Sequence, residues 1–129
     1  MLENDVLINK LKNIVGHRHV LTTSRATKPY CKGYRSGQGS VLAVIRPGTL
    51  LEQWQALKAV IAADKIIIMQ AANTGLTEGS TPNGEYDRDT VILSTMRLKK
   101  IHIIRKGLQI VSFPGATLFD LEKKLLPLK

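Results

Sequence analysis

A mixed α/β domain is the fold this sequence predicts, and three observations carry it. Two short, uninterrupted apolar runs, residues 41–45 and 66–69, are the length of strands buried on both faces. Between them lies a stretch with helical periodicity, so strand, helix and strand fit within about 30 residues as a βαβ unit with parallel strands and a right-handed crossover. A third apolar run, Val91-Ile92-Leu93, returns to the sheet after a long polar segment.

Each element has its own justification. Leu7, Leu11, Ile14 and Val15 recur at i, i+4, i+7 and i+8, which predicts an amphipathic helix with Asn4 or Asp5 as N-cap and Gly16 as its stop. Residues 17–40 lose all periodicity and collect Lys28, Lys32, Arg35, Gly33, Gly37 and Gly39, the composition of a basic loop. After the first strand, Arg46-Pro47-Gly48 is a stop, and Thr49-Leu50-Leu51-Glu52 spells a capping box in which hydroxyl and carboxylate each satisfy an orphan amide. The helix that follows is expected to run to about Ala63 and to bury Leu50, Trp54, Leu57, Val60 and Ile61 on one face, with Trp54 in the core. Ile101 and Ile103 alternate with polar neighbours, Lys106-Gly107 turns the chain, and residues 109–113 run back as a hairpin. Thr117 caps a last helix whose apolar stripe is Leu118, Leu121, Leu125 and Leu126, ended by Pro127.

The chain has 129 residues, room for one domain, and 43% of them are hydrophobic, which argues against disorder. Its formal charge of +9 favours an anionic partner without choosing among cofactor, membrane surface and nucleic acid. Divided along the chain, residues 1–46 carry +6 (8 − 2), residues 47–96 carry −3 (3 − 6) and residues 97–129 carry +6 (8 − 2). An acidic middle attracts phosphate only through oriented dipoles. The single cysteine, Cys31, makes neither an internal disulfide nor a zinc cage, and no apolar stretch approaches a membrane span. The chain reads as intracellular.

The segment after the second run, Gln70-Ala71-Ala72-Asn73-Thr74-Gly75-Leu76-Thr77-Glu78-Gly79-Ser80-Thr81-Pro82-Asn83-Gly84, follows the C-terminal end of a strand expected to be buried and parallel, where open α/β sheets place ligands. Gly75 and Gly79 are expected to let amides approach a pyrophosphate and to adopt positive φ, while Asn73, Thr74, Thr77, Ser80 and Thr81 add neutral donors. Glu78, Glu85, Asp87 and Asp89 oppose an anion unless they point away. Two standard phosphate motifs fail: Gly79 and Gly84 have Walker spacing, but Glu85-Tyr86 stands where Lys-Ser/Thr is required. Gly37-x-Gly39 lacks the third dinucleotide glycine, Leu42 occupying its position, and precedes a strand instead of following one.

The run from Ile66 to Gly84, with Arg35-Ser36-Gly37-Gln38-Gly39 upstream and Phe113-Pro114-Gly115-Ala116-Thr117-Leu118 downstream, closely resembles the N-terminal part of the bacterial quinone-dependent, FAD-containing D-lactate dehydrogenases. These are flavoproteins of the vanillyl-alcohol oxidase type. The resemblance implies that residues 1–129 are the first, βαβ-containing subdomain of a PCMH-type FAD-binding domain, with a hairpin and flanking helices. It further implies that Ala71, Ala72, Asn73, Thr74, Gly75, Gly79 and Ser80 contact FAD. Residues 70–90 contain no histidine that could tether the flavin, so dissociable FAD is expected. The resemblance implies a parent that oxidises D-lactate to pyruvate and passes electrons to a membrane quinone, attached peripherally to the cytoplasmic side of the inner membrane. The second FAD subdomain and substrate domain are absent from residues 1–129. No catalytic residue is therefore expected in this fragment, which should retain FAD weakly and turn nothing over.

Other candidate chemistry has blander readings. His17, His19 and His102 lack a third ligand of suitable spacing, and no metal is assigned. Cys31 sits in a basic stretch but shows no catalytic partner, so an unreactive thiol is expected. Lys28, Lys32 and Arg35 could meet lipid headgroups or flavin phosphate, with a solvated surface as the competing reading. The competing functional class, a basic nucleic-acid-binding module, would explain +9 directly, but Tyr30, Tyr34 and Tyr86 form no stacking strip and the bases do not line one helix face.

Overall fold

The computed structural model describes residues 2–128. The chain opens with helix α1, Glu3–Val15, closed by Gly16 at φ 89°. The helix begins one residue before Asn4, and Leu2 caps it with no side-chain hydrogen bond. The expected Asn4 or Asp5 cap is therefore not formed; Asn4 Nδ2 instead donates to Asp89 across the fold. Residues 17–40 are less irregular than their composition suggests. They hold a two-residue strand β1, Val20–Leu21, and a short helix α2, Ser24–Thr27, running into a 3₁₀ turn at Lys28–Tyr30.

A four-stranded sheet follows, built from β1, β2 (Ala43–Ile45), β3 (Ile66–Gln70) and β4 (Thr90–Ser94). Its order is β1-β2-β4-β3; β1 is antiparallel to β2, and the other neighbours are parallel. The two strands of the βαβ unit thus do not touch, because β4 lies between them. All five residues of β4 are buried, whereas β3 is an edge strand with Met69 exposed. An apolar run signals a strand but not its place in the sheet, so the expected burial of β3 on both faces is corrected here.

One face of the sheet, Ala43, Ile45, Val91 and Leu93, packs against Leu7, Leu11 and Val15 of α1 and Ala56, Ala59 and Val60 of helix α3, Leu50–Ala62. Val44 and Ile92 on the other face lie under Cys31. The buried stripe of α3 is the small one. Trp54 is 52% exposed, and Leu50 and Ile61 are exposed with it, contrary to the expected core face. Ala56 and Ala59 let the backbones of α1, α3 and the sheet come close, and an indole has no room there. The Trp54 ring lies outside instead, with Lys58 Nζ 3.5 Å from its centre. The capping box is half formed: Thr49 Oγ1 accepts from Glu52 N at 3.1 Å, but the Glu52 carboxylate accepts from Gly48 N at 2.6 Å, one residue before the cap.

The hairpin forms as expected, from β5 (Ile101–Ile104) and β6 (Gln109–Ser112), in a sheet of its own. Its turn places Arg105, Lys106 and Gly107 at positive φ. Helix α4, Leu118–Leu125, has a complete capping box between Thr117 and Asp120 but buries no residue. Its Leu118 is 79% exposed and Leu126 is exposed with it, while Leu121 and Leu125 are half-buried, so the apolar stripe is only partly covered. Gly115 joins this arm to the sheet: its N–H bonds Leu98 O at 2.8 Å, and a Cβ there would run into the carbonyl of Thr95.

Candidate functional site

The parallel strands β2, β4 and β3 all end on one side of the sheet, and the register Gln70↔Ser94 places the loop of residues 71–83 there. Gln70, 2% exposed, is the first anchor. Its Nε2 donates to Tyr30 O and Ser80 O, both at 2.8 Å, while its own carbonyl accepts from Thr95 N at 2.8 Å. Asn73 is the second anchor: Nδ2 donates to Lys32 O at 2.9 Å, and Oδ1 accepts from Ser80 Oγ at 2.7 Å and Thr81 Oγ1 at 3.0 Å. Two side-chain amides thus tie the basic loop around residue 31 to the turn at residues 80–81.

Glycine enters on the opposite side from the one anticipated. Gly75 and Gly79 do not have positive φ; Asn73 (53°) and Glu78 (61°) take the left-handed positions. The tightest glycines belong to the basic loop. A Cβ at Gly39 would overlap the Pro82 carbonyl, so close approach of the two loops requires glycine there, and one at Gly33 would overlap the Ser36 carbonyl, so the turn within the basic loop requires glycine too. Gly75 serves differently, with nothing within 4 Å of its would-be Cβ.

Among the described residues no backbone N–H from residue 71 to residue 80 finds an acceptor; the first in this loop to do so is Thr81 N, on Glu78 O at 3.1 Å. Ala71, Ala72, Thr74, Gly75 and Gly79 are exposed, and Asn73 and Ser80 are half-buried. The loop therefore offers water a run of donors, held from behind by Gln70 and Asn73. The side chains of Asn73, Ser80 and Thr81 were expected as free donors, but they are engaged with each other.

Glu78, Asp87 and Asp89 are engaged by other side chains. Glu78 receives hydrogen bonds from Ser36 and Asn83, which hold its carboxyl below the ordinary range and set it over Gly37. Asp89 lies beside Ile66, at the other end of β3, about 13 Å along a five-residue strand. There its carboxyl is held low by Asn4 and then Lys65. Asp87 pairs with Arg88.

In place of the acids, the structure brings cations. An open cleft of about 600 Å³ runs beside the loop, with Arg25, Lys28, Lys32 and Tyr34 on one wall and Ala72 and Asn73 on the other. The sequence leaves Lys28 and Lys32 open between ligand and solvent and offers Tyr34 only as one of three tyrosines without a stacking strip; Arg25 carries no signal there. Arg25 and Lys28 are three residues apart across α2 and the turn after it, but Lys32 lies beyond that turn, in a bridge with Gln38, so helical spacing does not foretell the cluster.

Elsewhere the chemistry is quiet. Burial pushes the Cys31 thiol up, which favours the unreactive protonated form. Burial and the neighbouring Arg97 and Arg46 lower His19. No group of three or more His, Cys, Asp or Glu side chains converges among the described residues. No helix among them is long and apolar enough to cross a membrane.

This architecture is shared with solved structures of low sequence identity. It superposes on p-cresol methylhydroxylase with substrate bound at a TM-score of 0.74 and 19% identity, over 97% of this chain and 25% of that one. In sequence the chain is 59% identical over 127 residues to the quinone-dependent D-lactate dehydrogenase of Escherichia coli (strain K12), spanning 98% of this chain and 22% of that protein. It is 50% identical over 122 residues to the protein of the same description from Haemophilus influenzae, spanning 94% of this chain and 22% of that protein. The chain is thus related to the quinone-dependent D-lactate dehydrogenases and spans about a fifth of the length of the curated relatives it matches. No protein-family model matches it.

Proposed function

We propose that this chain is the FAD-binding portion of a flavoprotein that oxidises D-lactate to pyruvate and passes the electrons to a membrane quinone. The observation that carries the reading is the run of unpartnered N–H groups over residues 71–80, at the C-terminal end of a parallel sheet, in a chain related to enzymes named for that reaction. Preorganised amides bind a pyrophosphate without reorganising. Ala71, Ala72, Asn73, Thr74, Gly75, Gly79 and Ser80 supply them, with Asn73 and Ser80 also fixing the loop through their side chains. The open space at Gly75 suits close approach by a ligand. When bound, the flavin supplies the hydride acceptor for the carbon bearing the lactate hydroxyl. This chain's part is to hold that cofactor in place.

FAD is held non-covalently in this reading, since residues 70–90 carry no histidine to tether it. Residues 1–129 form the first FAD-binding subdomain; a second subdomain and a substrate domain complete the site in a polypeptide of the relatives' length. Residues 1–129 alone retain FAD weakly and do not oxidise D-lactate. The parent sits peripherally on the cytoplasmic side of the inner membrane, where a quinone is within reach, and the basic stretches at either end suit anionic headgroups. Nucleic-acid binding is not favoured, because the charge that would drive it is divided by an acidic middle.

The test adds FAD, and separately duplex DNA, to the purified chain. Quenching of flavin fluorescence with no salt-sensitive retardation of DNA is expected. DNA binding without flavin binding would overturn the reading, and D-lactate turnover by residues 1–129 alone would overturn the division of labour.

A further inference from the structure

The cleft beside the loop holds three cations that nothing in the fold uses. Among the described residues, Arg25, Lys28 and Lys32 have no carboxylate within 4 Å; the ion pairs present are Lys65–Asp89, Arg88–Asp64 and Arg88–Asp87, all toward the other end of the sheet. All three cations are exposed. Like charges gathered on one concave wall repel one another, so the cluster raises the free energy of the unliganded chain slightly and is relieved by an anion. The opposite wall is Ala72 and Asn73, the start of the unpartnered N–H run. An anion lying on those amides therefore has the three cations alongside it, with no acid between.

We propose that Arg25, Lys28 and Lys32 form the charge-selective wall of a diphosphate site, shared with the amides of residues 71–80, and that this wall makes the chain prefer diphosphate-bearing ligands to uncharged flavins. This rests on the reading that the loop receives the pyrophosphate of FAD and adds to it the groups that set charge preference. The amides orient the phosphates; the cations supply net charge in a segment that residue counting marks as acidic. Attraction to an exposed wall of this kind is screened by salt, since the Debye length at about 0.15 M is close to 8 Å.

The experiment titrates ¹⁵N-labelled chain with ADP, FAD and riboflavin to millimolar concentration and follows backbone amide shifts, which report weak binding. ADP and FAD should move residues 71–80 and the segment 25–34; riboflavin should not. Lys28→Glu with Lys32→Glu should weaken ADP on the order of tenfold, and added salt should weaken the wild type more than the variant. Lys99→Glu with Lys100→Glu makes the same change in net charge at exposed positions outside the cleft and should leave ADP affinity unchanged. If ADP still moves residues 71–80 but the Lys28/Lys32 variant binds as well as wild type, or the Lys99/Lys100 variant loses as much, the cationic wall is overturned while the FAD reading stands. If neither FAD nor ADP moves residues 71–80, the FAD reading itself fails. Sedimentation with phosphatidylglycerol vesicles that depends on Lys28 and Lys32, without any ADP shift, would assign the cluster to lipid phosphate and overturn the proposal.

Discussion

The two ends of the sheet spend their polar groups in opposite ways. Where β3 and β4 begin, the charges are partnered: Asp89 takes Asn4 at 3.0 Å and Lys65 at 3.2 Å, and Arg88 reaches Asp64 at 2.6 Å and Asp87 at 3.2 Å. Where β2, β3 and β4 end, a run of N–H donors and three cations face solvent without protein partners among the described residues. The beginning is closed on itself, and the end is held open. Holding it open takes structure, and the two amides of Gln70 and Asn73 with the two tight glycines Gly33 and Gly39 provide it. Stability and binding are thus separated along one strand, which makes the contrast open to test by substitution.

The largest effect is expected at Gly39. Gly39→Ala drives a methyl into the Pro82 carbonyl, a backbone atom that moves only with its loop, and should cost about 2–4 kcal/mol in urea unfolding along with the amide shifts at residues 71–80. An alanine variant as stable as wild type would show that the two loops do not need their close approach. Next is Asn73→Gly, which keeps the left-handed backbone but removes three hydrogen bonds. It should cost about 1–2 kcal/mol, because Lys32 O and the Ser80 and Thr81 hydroxyls can turn to water. Its effect on FAD affinity should be proportionately larger, on the order of tenfold, since the donors lose their alignment. Parallel losses in stability and binding would mean that Asn73 acts only through folding.

The smallest effect is expected at the closed end. Asp89→Asn breaks an ion pair whose carboxylate is half-exposed, so it should cost no more than about 1 kcal/mol and leave ligand shifts unchanged. Acid should reproduce it. Asp89, Glu78 and Asp120 are held below their ordinary values by hydrogen bonds from Asn4, Ser36 and the Thr117 backbone respectively. A carboxyl lowered in the folded state stabilises the fold above its unfolded pKa, and that share fades as pH falls toward the folded value. Unfolding midpoints should therefore begin to fall as pH drops below the ordinary histidine value, where His19 is lowered, and fall further through the carboxylate range. In Asp89→Asn the drop should be shallower.

Much of this was legible in the chain because it depends on near neighbours. The period of Leu7, Leu11 and Val15, the stop at Gly16, the Thr117 cap and the hairpin turn are set within a few residues, and each forms. What failed needed a partner distant in sequence. β1 is two residues long and exists only because β2 pairs with it. Trp54 was placed inside on hydrophobicity, yet α3 meets α1 through alanines. Lys28 and Lys32 stood open between phosphate ligand and solvated surface, and only the fold brings them into one cleft with Ala72 and Asn73.

Read alone, the chain determined which residues form most of the strands and helices, that a long polar segment follows the second apolar run at the end of a parallel strand, and which relatives it resembles. Local spacing and short-range sterics suffice for those. Folding decided that β4 takes the centre and β3 the edge, that among the described residues the ion pairs form at one end while Arg25, Lys28 and Lys32 stand unpaired at the other, and that Asn73 and Ser80 turn inward. Those outcomes depend on which groups meet across dozens of residues, where burial, close backbone approach and hydrogen-bond pairing are settled together.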